Sequence, residues 1–359
     1  MSSFLRFASI YGTWRQSQSG EKPRETLRGE ARISAVPKEL RYTLVGFESE
    51  ESARAASTRV AHFIDELVPQ LGLTLAGLDG VTISVDYDAG LRQLDRGYDA
   101  TQALTRTNDE VASGIAMTPC VLRNGRVMSH MILSAAVVPL IDEPFSGVSG
   151  KYIIAHELSH AHEHYFRDRQ LPHTLLNVKI TKPDEAVLFE SADACWGEYA
   201  ACYFSAPVHP DQAKLFEMTI LSSLTDARRK IIEAKRQWLA DRNFAAAWQK
   251  ISAIALALLK YFSYLLGHAA GLNKPLEELA PDAMKILQSN PWVLPWIEKL
   301  GRTLRTTLET FEEWQSLEVF EPLKQIARGV LTDCGISISD SKGSLYVYVD
   351  AGKLPISSA

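Results

Sequence analysis

A chain of 359 residues, 46% apolar and 23% charged, has the composition of a soluble globular protein with ample material for a buried core. Its net charge of −5, with no run of five or six like charges, argues against a polyanionic partner, so no nucleic acid is expected. Four cysteines, Cys120, Cys195, Cys202 and Cys334, contain no CxxC pair and build no disulfide framework, which predicts reduced thiols in a cytoplasmic protein.

Residues 1–37 are polar and interrupted by Gly20, Pro23, Gly29 and Pro37. Phe4, Leu5, Phe7, Ile10, Tyr11 and Trp14 can share one helical face, which predicts a short docking helix. The segment lacks the continuous apolar stretch of a secretory signal. Residues 49–71 read as a helix that Ser49 can cap, with Ala53, Ala56, Val60, Phe63, Ile64 and Leu67 at helical spacing. Residues 80–88 alternate like a strand. Residues 114–141 read as two strands around Asn124-Gly125, a hairpin turn signal. Pro119 and Pro139 suggest strand ends or edge positions.

After a turn-rich stretch at 143–150 the pattern becomes helical: 151–169, 184–205, 211–241, 243–267, 276–289, 291–317 and 320–331. Trp238, Trp248, Trp292, Trp296 and Trp314 fall on or beside these helices and read as core packing. The most apolar run, 251–267, contains Lys260 and is short for a bilayer, so a buried helix is predicted and no membrane span. Residues 335–350 alternate again around a turn at 341–343. The expected fold class is α+β. It comprises an N-terminal segment (1–37), a mixed unit (38–210), a helical region (211–334) and a C-terminal β-hairpin and tail (335–359).

The chemistry lies in the helix at 151–169. His156 and His160, at i and i+4, project from one face one turn apart and can reach the same zinc ion. Glu157 is turned about 100° from His156, which suits a general base acting on a metal-activated water. A third ligand is required. The HExxHxxGxxH pattern fails, because Glu163 replaces its glycine and Phe166 its histidine. The next helix offers Glu190 and Glu198, two turns apart on one face. Gly197, Ala200 and Ala201 would let the stretch around Glu198 approach closely. His162, Glu163 and His164 read as a polar face opposite the core. Tyr165, Tyr199 and Tyr203 are candidate oxyanion stabilisers.

Over residues 153–207 the chain resembles the gluzincin metallopeptidases, and among them the ImmA/IrrE-type family. The resemblance rests on His156-Glu157-Leu158-Ser159-His160 and on Glu198, Ala201, Phe204, Ser205, Ala206 and Pro207. It implies a zincin-like unit with His156, His160 and Glu198 as zinc ligands and Glu157 as catalytic base, and a mixed sheet whose edge strand, at 127–133, would hold an extended peptide by strand addition. Where many relatives carry Asp or Asn four residues after the ligand glutamate, this chain has Cys202, and Asp193 is a candidate substitute. The expected function is a cytoplasmic zinc metallopeptidase, narrow in specificity, that hydrolyses a peptide bond in a protein or peptide. The alternatives are a non-proteolytic zinc-binding protein and a helical scaffold with an inactive zincin unit.

Overall fold

Five strands, β1 (Arg41–Val45), β2 (Leu78–Ser84), β3 (Ala116–Met117), β4 (Cys120–Arg123) and β5 (Arg126–Ser134), form one mixed sheet in the order β1-β2-β5-β3. The computed structural model describes residues 36–37, 39–100, 103–106, 114–350 and 352. The docking helix expected in the first fifteen residues lies outside them. Strands β1, β2 and β5 run parallel, whereas β3 and β4 both pair antiparallel with the far side of β5. Asn124 and Gly125 join β4 to β5 with φ of +52° and +75°, the left-handed pair that a tight type I′ hairpin requires.

This topology corrects the expected edge. Residues 127–133 lie in β5, which is paired on both sides, and Ser129 to Ser134 are all buried. Such a strand has no free backbone row for an added peptide. The outer strands on that side are β3 and β4. The strand expected at 80–88 instead ends at Ser84, because Asp86 caps a helix, α1 being Glu50–Leu71 and α2 Tyr87–Gln93. The Asp86 side chain accepts from Ala89 N at 3.0 Å, which competes successfully with continued extension. In α1, Ser49 caps as predicted, and Ala56, Val60, Phe63, Ile64 and Leu67 are buried.

The helical part comprises α3 (Gly150–Gln170), α4 (Thr174–Asn177), α5 (Pro183–Ser205), α6 (Gln212–Asp241) and α7 (Phe244–Leu272). It continues with α8 (Leu276–Leu279), α9 (Pro281–Gln288), α10 (Leu294–Glu309) and α11 (Glu321–Asp333), and closes with the hairpin β6 (Ile336–Ser341) and β7 (Ser344–Val349). The helices expected at 276–289 and 291–317 are therefore shorter. The first breaks at Ala280, ahead of Pro281. The second gives way after Glu309 to a turn that buries Phe311 and Trp314.

Helix α3 lies on the sheet face that carries Ser129, while Ile132 on the other face packs against Tyr87 and Leu91 of α2. Helix α5 packs on α3, and α7 packs on α5 and α6. Behind the α3–α5 pair, Trp196 meets Phe311 and Trp314 at ring-centroid distances of 5.2 and 4.9 Å. The sheet, α3, α5 and the helical region belong to one compact unit, Ile33–Ala359. Helix α7 is long and apolar enough to cross a bilayer, and 56% of its most apolar window is buried inside the protein.

Candidate metal centre

Ser149 starts α3 by accepting from Tyr152 N, and Ile154, Ala155, Leu158 and Ala161 anchor it with no exposed surface. That burial fixes the helix rotation, so His156 and His160 face α5, which presents Glu198 between them. The two Nε2 atoms are 3.1 Å apart, and Glu198 Oε2 lies 3.3 Å from that of His156 and 3.5 Å from that of His160. Among the described residues these three form the single grouping of His, Cys, Asp or Glu able to hold a metal. A tetrahedral ion with bonds of about 2.0–2.1 Å separates its ligands by about 3.3 Å, so this donor set fits zinc. Glu198 Oε2 is buried and accepts no hydrogen bond. An unsatisfied buried carboxylate oxygen facing two imidazole nitrogens is what a cation at their centre would resolve.

Burial alone would raise the Glu198 carboxyl, but contacts from His156 and His160 and the Lys260 ammonium outweigh it and hold the group well below its usual range. Burial likewise opposes charge on His160, yet Glu198 raises that imidazole above its ordinary value. Cys202 Sγ lies 3.7 Å from His156 Nδ1, where it would accept the proton that a metal bound at Nε2 would leave on that nitrogen. Tyr152 OH donates to the same sulfur at 3.4 Å. Cys202, fully buried, thus sits beside His156, whereas Asp193 is turned away and pairs with Arg167 at 2.5 Å.

Glu157 is 7% exposed, and its carboxylate is fixed from the outer edge of the sheet. Thr118, between β3 and β4, donates to Glu157 Oε2 at 2.8 Å and lies 3.1 Å from the Glu157 carbonyl oxygen. Glu190 is exposed and outside the cluster. A methyl group at Gly197 would meet His160 at an ordinary 3.9 Å, so that glycine is not what permits the helix approach. Ala200 and Ala201, both fully buried, line the packed face.

The supposed polar face of α3 is buried as well. His162 and Glu163 are 4% and 0% exposed, because the sheet, α5 and the Phe311 turn enclose the helix. Trp196 Nε1 donates to Glu163 Oε1 at 2.7 Å, and Arg167 lies 3.8 Å from the same oxygen. His164 Nδ1 meets Ser129 Oγ at 2.9 Å and Cys120 Sγ at 3.6 Å. Tyr199 and Tyr203 are core residues, and the Tyr165 hydroxyl accepts from Arg169.

Two groups at the centre come from the helical region and have no local sequence signal. Lys260 Nζ lies 3.5 Å from Glu198 Oε1. The Tyr264 ring is 6.0 Å from that of His156, and burial together with the Glu198 charge pushes its hydroxyl well above the usual value. Both lie on α7, one turn apart on one face. Compared with known proteins, the chain matches no family model, no curated protein and no solved structure.

Proposed function

We propose that this chain is a zinc-dependent metallopeptidase of gluzincin type, with His156, His160 and Glu198 as ligands and Glu157 as general base. The observation that carries it is the convergence of these three donors at 3.1–3.5 Å with a buried, oriented glutamate on the next residue of the same helix. A metal site that is only structural has no use for Glu157. When bound, zinc lowers the pKa of its water to about 7 and polarises the scissile carbonyl. Glu157 would take a proton from the attacking water and pass it to the leaving amine, while Thr118 keeps its carboxylate from turning away. The Tyr264 ring, 6.0 Å from that of His156, makes this residue the candidate donor to the developing oxyanion, a role for which a raised pKa would keep its proton in place.

A protein or peptide substrate would approach in extended form along Ala116–Met117, the outer strand that leads into Thr118. The resemblance to the ImmA/IrrE-type family favours a narrow intracellular target. The test has two parts. Purified protein should hold near-stoichiometric zinc, and His160→Ala should lose most of it. Glu157→Gln should retain the zinc but fall at least about a hundredfold in turnover of peptides identified by a proteome-wide cleavage screen. Folded protein that holds no metal under zinc-replete conditions would overturn the proposal.

A further inference from the structure

Helix α7 is apolar through Ile254–Leu259 and again, apart from Ser263, through Tyr261–Leu266, and Lys260 is the one charge between them. The Lys260 side chain is 31% exposed, and its Nζ lies 5.8 Å above the Tyr264 ring. The two oxygens of Glu198 are divided between neighbours. Oε2 faces the imidazole nitrogens at 3.3 and 3.5 Å, and Oε1 faces Lys260 Nζ at 3.5 Å.

We propose that Lys260 is a positioning residue that holds the outer oxygen of Glu198 and so restricts this carboxylate to one metal-facing oxygen. The inference rests on the metal reading above. A catalytic zinc needs three protein ligands and a position left open for water or substrate. The nearest protein atom able to fill that position is the second oxygen of Glu198 itself, since carboxylates bind metals through one oxygen or two. An ammonium has three donors and no lone pair, so it attracts Oε1 without competing as a ligand. Its charge also opposes a dication in the same site, so an open position comes at the expense of metal affinity. The role falls to the helical region because, among the described residues, neither α3 nor α5 pairs a lysine or arginine with Glu198.

The test uses full-length protein carrying Lys260→Met, which keeps side-chain length, Lys260→Gln, which keeps a polar head, and Lys260→Arg, which keeps the charge. Zinc affinity is measured by competition with a chromophoric chelator. Coordination is read from the visible d–d absorption of the cobalt-loaded protein, which weakens as four-coordinate sites become five-coordinate. Wild type and Lys260→Arg should share an intense cobalt band. Lys260→Met and Lys260→Gln should both show a weaker band and bind zinc about tenfold tighter or more, within the range over which residues beside a ligand change metal affinity. Wild-type absorption and affinity in both neutral variants, or weaker zinc binding, would overturn the role of Lys260 and leave the metal reading standing. Wild-type protein that takes up neither zinc nor cobalt would overturn both.

Discussion

Gly267 of α7 sits against the backbone carbonyl of Tyr199 on α5, so closely that a Cβ built on it would lie 2.2 Å from that oxygen. Gly271 repeats the contact with the Tyr203 carbonyl, again at 2.2 Å. The two glycines are four residues apart, and Lys260 and Tyr264 continue the same helical face toward the metal centre. Close approach of two backbones therefore brings a lysine and a tyrosine to a carboxylate on the neighbouring helix.

Replacing Gly267 by alanine should force α7 away from α5. Relief by side-chain rotation is not available, because the obstructing atom belongs to the backbone. A stability loss of about 1–3 kcal/mol is expected, the usual scale of overpacking, together with altered zinc affinity as Lys260 withdraws. Urea denaturation and chelator competition measure the two effects. An unchanged midpoint would mean that the helices do not approach this closely.

Thr118→Val removes the one donor that reaches Glu157 Oε2 from the edge segment while nearly preserving shape. The carboxylate then becomes free to turn, so turnover of an identified peptide should fall several-fold with zinc content unchanged. A buried hydrogen bond to a charged group contributes about 1.5–3 kcal/mol, and a comparable loss should appear in the urea midpoint. Equal loss of zinc would instead assign Thr118 to the metal site.

Glu163 and Arg167 are both almost completely buried between α3 and α5. Burial raises the Glu163 carboxyl against the pull of Arg167 and Trp196, so the group depends on its partners. Glu163→Ala should leave the guanidinium without one of its counter-charges and Trp196 Nε1 without an acceptor. The expected cost is about 3–5 kcal/mol, read from equilibrium unfolding. Glu163→Gln keeps the acceptor for Trp196 and should cost less. If both variants matched wild type, the cluster would not hold the two helices in register.

His156, Glu157 and His160 were legible because helix geometry alone places i and i+4 on one face, and the Asn124-Gly125 turn because its backbone admits few residues. Glu198 was legible only jointly with Glu190, and the resemblance singled it out. Edge and centre of the sheet were not legible: β5 alternates no differently for having neighbours on both sides. Lys260 and Tyr264 were invisible as site residues because nothing local to α7 states which helix it will touch. The burial of His162 and Glu163 was hidden for a similar reason, since polarity predicts solvent until a partner such as Trp196 is placed opposite.

Buried neutral histidines should make stability depend on pH. His162, 4% exposed, accepts from Thr74 N at 2.8 Å, and burial pushes its pKa down to about 4. His268, fully buried beside the Pro210 carbonyl at 3.1 Å, is also lowered by burial to about 4. Unfolded, each protonates near 6.5. Between those values the unfolded state binds more protons, so stability is fully present above about pH 6.5 and declines as pH falls toward 4. The slope is about 1.4 kcal/mol per pH unit for each histidine, or about 3 kcal/mol each over the whole window. Loss of metal falls in the same range, because ligand imidazoles must be deprotonated, so urea midpoints should be followed with a chelator present throughout. In His162→Gln an amide oxygen can accept the Thr74 bond without ionising. The variant should be less stable than wild type at pH 7.5, and that difference should shrink steadily toward pH 4. A constant difference across the titration would show that His162 is not held neutral by the fold.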